Sequence, residues 1–251
     1  MNKLWLTVLI CAALFPAVAQ DGRQIVSEVQ KRSHADSEQY EGLLQVIDSH
    51  GKVSDKRWTY DRIGSHGNSK AVIRFRNPPE VKGVALLIVN HPDRASDQWM
   101  WTPNLNRDRR IALQDRSTRF FGTDFSFEDL EERDVDHFDY SYKGEEKIDG
   151  DLCWKIESKP RAVQRSQYTS SMLWIRKDNY TYAQIENFTE DKLIRRLKYK
   201  NVENVQGIWT AYVLDMEDVT RKSRTVLKLD SPKYNVPLHQ DEFTVGALRR
   251  E

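Results

Sequence analysis

Most of this chain is written in short runs that alternate apolar and polar residues, and that period of two limits what it can fold into. In 71–76, Ala71, Ile73 and Phe75 fall on one face and Arg74 and Arg76 on the other, as in a strand whose successive side chains point to opposite sides. Runs of the same kind cover 41–48 and 56–62, with Ser49, His50, Gly51 and Lys52 between them as a hairpin turn. Further strands are predicted over 152–157, 171–176, 181–188, 193–200, 209–219 and 224–229. Residues 83–89 are apolar on both faces, the pattern of a central strand covered on both sides. Only 25–35, with Ile25, Val29 and Ala35 set among charged residues, reads as a long helix, and 241–249 reads as a short C-terminal helix or turn. Ten or so short strands, few helices and no repeat of fixed period predict an all-β barrel or sandwich. No Pro-, Gly- or Ser-rich linker divides the chain, so 20–251 is expected to form a single domain.

The first 19 residues carry a different signal. A basic Lys3, an apolar run over 4–15 and the small residues Ala17, Val18 and Ala19 read as a signal peptide cut near Ala19 and Gln20. The run is shorter than the roughly 20 residues a spanning helix needs. Cys11 follows the bulky Ile10, where lipid attachment calls for a small residue. The expected product is a soluble exported protein located in the periplasm. Removing Lys3 from 39 basic residues leaves 38 against 38 acidic ones, so overall charge gives no reason to expect a nucleic-acid partner. Cys153 is then the only thiol, and its neighbours Leu152 and Trp154 suggest an inert side chain on a buried strand.

No pattern in the chain supplies catalytic machinery. There is no Gly-rich phosphate loop, no His-Glu-x-x-His, no paired cysteine motif and no Gly-x-Ser-x-Gly elbow. His34, His50, His66, His91, His137 and His239 are scattered, mostly beside turn residues, and read as surface positions rather than metal ligands. We therefore expect no catalytic residue, no metal and no cofactor. What the sequence offers instead is aromatic: Trp58, Trp99, Trp101, Trp154, Trp174 and Trp209 all fall in predicted strands. Bulky packing accounts for part of that excess; a curved sheet with an apolar ligand cavity accounts for the rest.

The densest block is 98–130. Trp99 and Trp101 share a face, Pro103 ends their strand, and Asn104, Asn106 and Asp108 make a turn before the apolar Ile111, Ala112 and Leu113. Ser126 stands three residues before Asp129 and is placed to cap a short helix starting near Phe127. Acids dominate from Glu128 to Asp139, following arginines at 107, 109, 110, 116 and 119, and read as a solvated, mutually compensating surface.

The Trp-rich strand ending in Pro103, the arginines before Ile111, and Gly122, Thr123, Asp124, Phe125, Ser126, Phe127, Glu128, Asp129 and Leu130 together resemble the outer-membrane lipoprotein-sorting family, distant relatives of the periplasmic carrier LolA. The resemblance runs from about Ile25 to the C-terminal Leu248. It implies an antiparallel curved sheet forming an unclosed half-barrel, with a few short helices over the concave face and lipid chains inside. It implies a non-enzymatic periplasmic carrier that binds lipoprotein acyl chains or lipid and delivers them toward the outer membrane. The alternative is a lipid sensor or an accessory subunit of an inner-membrane RND-type exporter. Partners on this reading are a lipoprotein or lipid cargo, an inner-membrane exporter and an outer-membrane acceptor, with the chain itself a monomer. The expected cavity residues are Trp99, Trp101, Phe120, Phe125, Trp154 and Trp174, and Arg107, Arg109, Arg110, Phe127 and Leu130 are expected at the rim or lid. A sixteen-carbon acyl chain offers about 12 kcal/mol of gross burial, so holding it needs no charged contact, and release needs a movable cover. The helix near Ile25 and the turn at Ser126 are the segments expected to provide that cover.

Overall fold

The computed structural model describes residues 21–250; the expected signal peptide and its cleavage site lie outside them. Thirteen strands form one antiparallel sheet that is not closed into a barrel. In chain order they are β1 (Ser37–Ile47), β2 (Val53–Ser65), β3 (Asn68–Asn77), β4 (Ala85–Val89), β5 (Asp97–Thr102), β6 (Arg107–Arg110), β7 (Phe138–Ile148), β8 (Asp151–Pro160), β9 (Ser170–Arg176), β10 (Tyr182–Thr189), β11 (Lys192–Val205), β12 (Ile208–Asp218) and β13 (Ser223–Tyr234). One helix, α1 (Gly22–Arg32), precedes them.

The order across the sheet is β6-β5-β4-β3-β2-β1-β13-β12-β11-β10-β9-β8-β7. The first and last strands in sequence meet in the middle, and β6 and β7, neighbours in sequence, form the two outer edges. The chain between them, 111–137, must therefore travel from one edge to the other. It does so across one face, which we call inner, and acts as a strap over the unclosed mouth. Ile111, Phe120, Phe125, Phe127 and Val135 of the strap pack with Leu44, Trp58, Phe75, Leu86, Ile88, Leu173 and Leu227 of the sheet in the main core. Stacked and edge-on rings bind the strap's aromatic cluster: Phe120 lies 5.3 Å from Phe75 and 6.1 Å from Trp58, and Phe127 5.4 Å from Phe120. Gly42 is what lets Trp58 lie flat here, since a Cβ at that position would meet the indole Nε1 at 1.8 Å.

Several expectations change in detail. Strand β6 is built from Arg107, Asp108, Arg109 and Arg110, where a turn was expected; Ile111 turns into the core and Leu113 opens a 3-10 turn. Strand β7 is an addition to the expected strands, its burial alternating with Phe138, Tyr140 and Tyr142 turned from solvent and Asp139, Ser141 and Lys143 exposed. The expected helix after Ser126 is a single 3-10 turn over Glu128–Leu130, with Phe127 at the N-cap position. Ser126 and Asp129 do bond reciprocally, the Ser126 amide and hydroxyl donating to Oδ2 at 2.7 and 2.6 Å and the Asp129 amide donating back at 3.3 Å. The helix α1 begins three residues earlier than expected because Asp21 caps it, accepting from the Arg23 amide at 2.9 Å. The 83–89 reading holds: Leu86 and Ile88 join the inner core while Ala85 and Leu87 join a second core on the outer face. The C-terminal turns over 240–249 cover that outer core with Phe243 and Leu248.

Candidate functional site

The inner face is filled on the β1–β6 side by the strap and left partly empty on the β9–β13 side, beneath α1. Two hollows adjoin there, one of about 300 Å³ and one of about 230 Å³, and Val29, Ser33, Tyr182 and Tyr199 line both. Their combined size falls within the ordinary range of small-molecule sites. Alternation on the strands, with a register shift between Tyr182 and Gln184 of β10, fixes the floor: Tyr182 and Ile185 from β10, Leu197 and Tyr199 from β11, Leu214 and Met216 from β12, Leu229 from β13. The roof is α1, whose Ile25, Val26 and Val29 form its buried stripe. Three contacts hold α1 down. Near its start Arg23 pairs with Asp136, and in its last turn Gln30 accepts from the Val135 amide at 2.8 Å. At its end the Arg32 guanidinium lies 4.1 Å over the Tyr180 ring, which packs 4.8 Å from Trp154.

The side wall is the strap, and its carboxylates point inward. Asp124 is wholly buried and accepts from Arg119 at 2.7 Å, Ser223 at 2.5 Å and Thr225 at 2.7 Å, tying the strap to β13. Asp129 accepts from the Tyr168 hydroxyl at 2.8 Å and from Arg195 at 2.9 Å. Glu131 lies 3.0 Å from the Arg116 guanidinium and accepts from Gln98 at 2.7 Å. Glu132 accepts from Ser69 and lies 3.5 Å from Arg62, which also holds Glu38 at 3.0 Å. Glu128 takes the Ser166 hydroxyl and the Gln167 amide. Burial pushes the carboxyls of Glu128, Glu131 and Glu38 above the usual glutamate range; Ser166 opposes that at Glu128, Arg116 at Glu131 and Arg62 at Glu38. For Arg62 burial alone would lower the pKa, but Tyr60, Glu132 and Glu38 around it hold it above its ordinary value. The acidic run splits: Asp129, Glu131 and Glu132 are anchors beside Arg195, Arg116 and Arg62, with Arg116 the one arginine of the 107–119 set that they meet among the described residues, while Asp136 and Asp139 stay solvated beside Arg23 and Arg161.

The predicted cavity residues divide by face. Trp154 lies on the inner face of β8, against Tyr180, and Phe120, Phe125 and Phe127 are strap residues packed into the core, with Leu130 against it. Trp99 and Trp101 do not reach the hollow. They point to the outer face, where Trp101 packs with Val72, Ala85, Leu87, Phe243 and Leu248 and Trp99 lies at the edge of that cluster. Trp174 is also on the outer face, with Cys153 and Ala183, and donates to Glu146 at 3.0 Å. The cause is parity: alternation says which residues share a face, not which face it is, and both faces of this sheet are covered. Arg107, Arg109 and Arg110 sit on edge strand β6, exposed; Arg110 pairs with Asp97 and lies 5.9 Å over Trp99, so none of the three lines the hollow. Burial would raise the Asp97 carboxyl, but Arg94, Arg110 and His91 bonded to it hold it well below the usual range.

What the sequence reading missed is the tyrosine set. Tyr182 of β10 and Tyr199 of β11 lie 5.7 Å apart, with Tyr140 and Tyr168 nearby; in the sequence only Tyr199, between Lys198 and Lys200, stands out as an aromatic position on an alternating strand. Counting tryptophans alone passed them over. Arg133 was missed too, lying in what read as a solvated acidic run. His137 is buried rather than on the surface, bonded to Gln164 at 3.0 Å and the Pro92 carbonyl at 3.1 Å, and His66 lines the hollow. Cys153 is fully buried as expected, its thiol pushed up to about 11 chiefly by burial. No group of three or more metal-ligating side chains is assembled among the described residues.

A family model described as an uncharacterized protein matches residues 67–250. No curated protein matches the chain. Among solved structures, a domain designated an outer membrane lipoprotein-sorting protein from Vibrio parahaemolyticus superimposes with a TM-score of 0.86 at 23% identity, covering 91% of this chain and 98% of that one. A DUF1329 family protein from Desulfovibrio piger gives 0.85 at 26% identity, over 90% and 97% of the two chains. A LolA superfamily protein from Nitrosomonas europaea gives 0.72 at 19% identity, over 91% and 99%. The resemblance read from the 98–130 block is thus borne out in the fold.

Proposed function

Since the chain belongs to the family of uncharacterized proteins whose model spans residues 67–250, and shares its fold with lipoprotein-sorting and LolA superfamily proteins, we propose that it is a non-enzymatic periplasmic carrier of lipid or lipoprotein acyl chains. The observation that carries this reading is the hollow beneath α1. Its floor of Leu197, Leu214, Met216, Leu229 and two tyrosine rings offers an acyl chain apolar contact along its length, at about 0.8 kcal/mol per buried methylene. No helix among the described residues is long and apolar enough to cross a membrane. On this reading cargo enters under the end of α1, where Trp209 is 43% exposed beside the second hollow. Delivery to an outer-membrane acceptor, and supply by an inner-membrane exporter, belong to the same proposal.

The hollow can be tested by filling it. Val29 lines both lobes, so Val29→Trp should weaken binding of N-phenylnaphthylamine by about tenfold or more, with a folded sheet by circular dichroism. Native mass spectrometry of protein purified from the periplasm should find co-purified lipid in wild type and little in the variant. Unchanged probe affinity in folded Val29→Trp protein would remove the hollow from the account.

A further inference from the structure

Almost every charged side chain on the inner face is matched. Arg62 has Glu38 and Glu132, Arg195 has Asp129, Arg116 has Glu131, and Arg119 has Asp124. Arg133 is different. It lines the larger hollow, and among the described residues no carboxylate lies within ion-pair distance of it. Of its five N–H donors, one reaches the Ser158 hydroxyl at 2.9 Å, and its guanidinium lies 4.2 Å over the Phe138 ring. The four acids along the same wall are already engaged, Glu128 by Ser166 and Gln167 and the others by the arginines just named. Tyr182 and Tyr199 line the same space, and their hydroxyls make no hydrogen bond with protein groups among the described residues. Burial raises both phenols, and the Arg133 charge is near enough to oppose that rise at each. The hollow thus holds, next to an apolar floor, one guanidinium with no carboxylate partner and two phenol hydroxyls with no protein partner among the described residues, while the acids of the same wall are taken up by other groups.

We infer that the hollow selects a single-chain amphiphile with an anionic head, a carboxylate or a phosphate, which sits on the Arg133 guanidinium and the Tyr182 and Tyr199 hydroxyls while its chain runs over Leu197, Met216 and Leu214. This rests on the carrier reading and names its cargo chemistry. Arg133 is half-buried and has no carboxylate partner among the described residues, so its guanidinium is free to take an anionic head in a charge-assisted pair. The chain supplies affinity; the head supplies selection and register, because a planar guanidinium fixes the orientation of the oxygens it binds.

The test displaces N-phenylnaphthylamine from purified mature protein with palmitate, its uncharged methyl ester, or inorganic phosphate alone. In wild type palmitate should bind about ten- to hundredfold more tightly than the ester. In Arg133→Gln that preference should fall to within about twofold, chiefly through weaker binding of the acid, and Arg133→Lys should keep most of it. Phosphate alone should displace nothing. Equal binding of acid and ester by wild type, a preference that survives in Arg133→Gln, or displacement by phosphate alone would each overturn this inference while leaving the carrier reading standing. Failure of both palmitate and ester to displace the probe would overturn the carrier reading with it. If Arg133→Gln does not fold, the wild-type comparison of acid with ester and the Arg133→Lys variant decide the matter.

Discussion

At the scale of single residues, what decides a side chain's role is which of two covered faces it reaches. Trp101 is 8% exposed and is completed by Phe243 and Leu248 of the chain's own C-terminal turns, not by a ligand. Trp101→Ala should therefore cost about 3 to 5 kcal/mol of folding stability, the range for truncating a buried aromatic. A chemical denaturation curve set beside probe binding checks it. A lowered midpoint with unchanged affinity in the remaining folded protein is the expected pair of results, and lost affinity with an unmoved midpoint would return Trp101 to the site. That Trp99 and Trp101 share a face is legible in the sequence; the choice of face is not, because the cover, Phe243 and Leu248, lies some 140 positions further along the chain, and no local period reports so distant a contact.

At the scale of elements, the strap is the part least readable from pattern and most determined by topology. Once β6 and β7 are the two edges of an open sheet, the chain between them has to cross its mouth, and its acids become anchors. Residues 122–130 make sense position by position: Thr123 donates to the Phe120 carbonyl at 2.6 Å, Asp124 binds β13, Ser126 and Asp129 close on each other, and Phe125 and Phe127 enter the core. The strands, by contrast, were legible because alternation and turn residues are local signals. Glu131 gives the strap a testable pH signature. Burial raises its folded-state carboxyl above the ordinary glutamate value of 4.5, with Arg116 opposing. The folded protein then holds this proton more tightly than the unfolded chain, so the group's stabilising contribution is complete below that value and is lost as pH rises through the folded-state pKa. The stability of wild type relative to Glu131→Gln should accordingly shrink as pH rises above 4.5 and then level off. Paired thermal melts across that window measure it, and an advantage that grows with pH would mean that Glu131 is held as a favourable anion instead.

For the molecule as a whole, the sheet is a frame whose inner face is closed on one half and open on the other. The strap fills the β1–β6 half with Phe120, Phe125 and Phe127; α1 roofs the β9–β13 half without filling it, leaving Tyr182, Tyr199, Leu214 and Met216 facing empty space. That asymmetry is the physical basis of the carrier reading, and it is also why the expected site was displaced. The aromatic residues that stood out in the sequence are those that finish the packing, while the hollow is lined by tyrosines and aliphatic residues unremarkable in composition. The central claim, that cargo lies under α1, can be met directly by photolabelling. Purified protein is loaded with a diazirine-bearing palmitate, irradiated and digested, and the labelled peptides are read by mass spectrometry. The account predicts label on peptides containing Val29, Tyr182, Tyr199 or Met216; label concentrated on Trp99, Trp101 or Trp174 would contradict it.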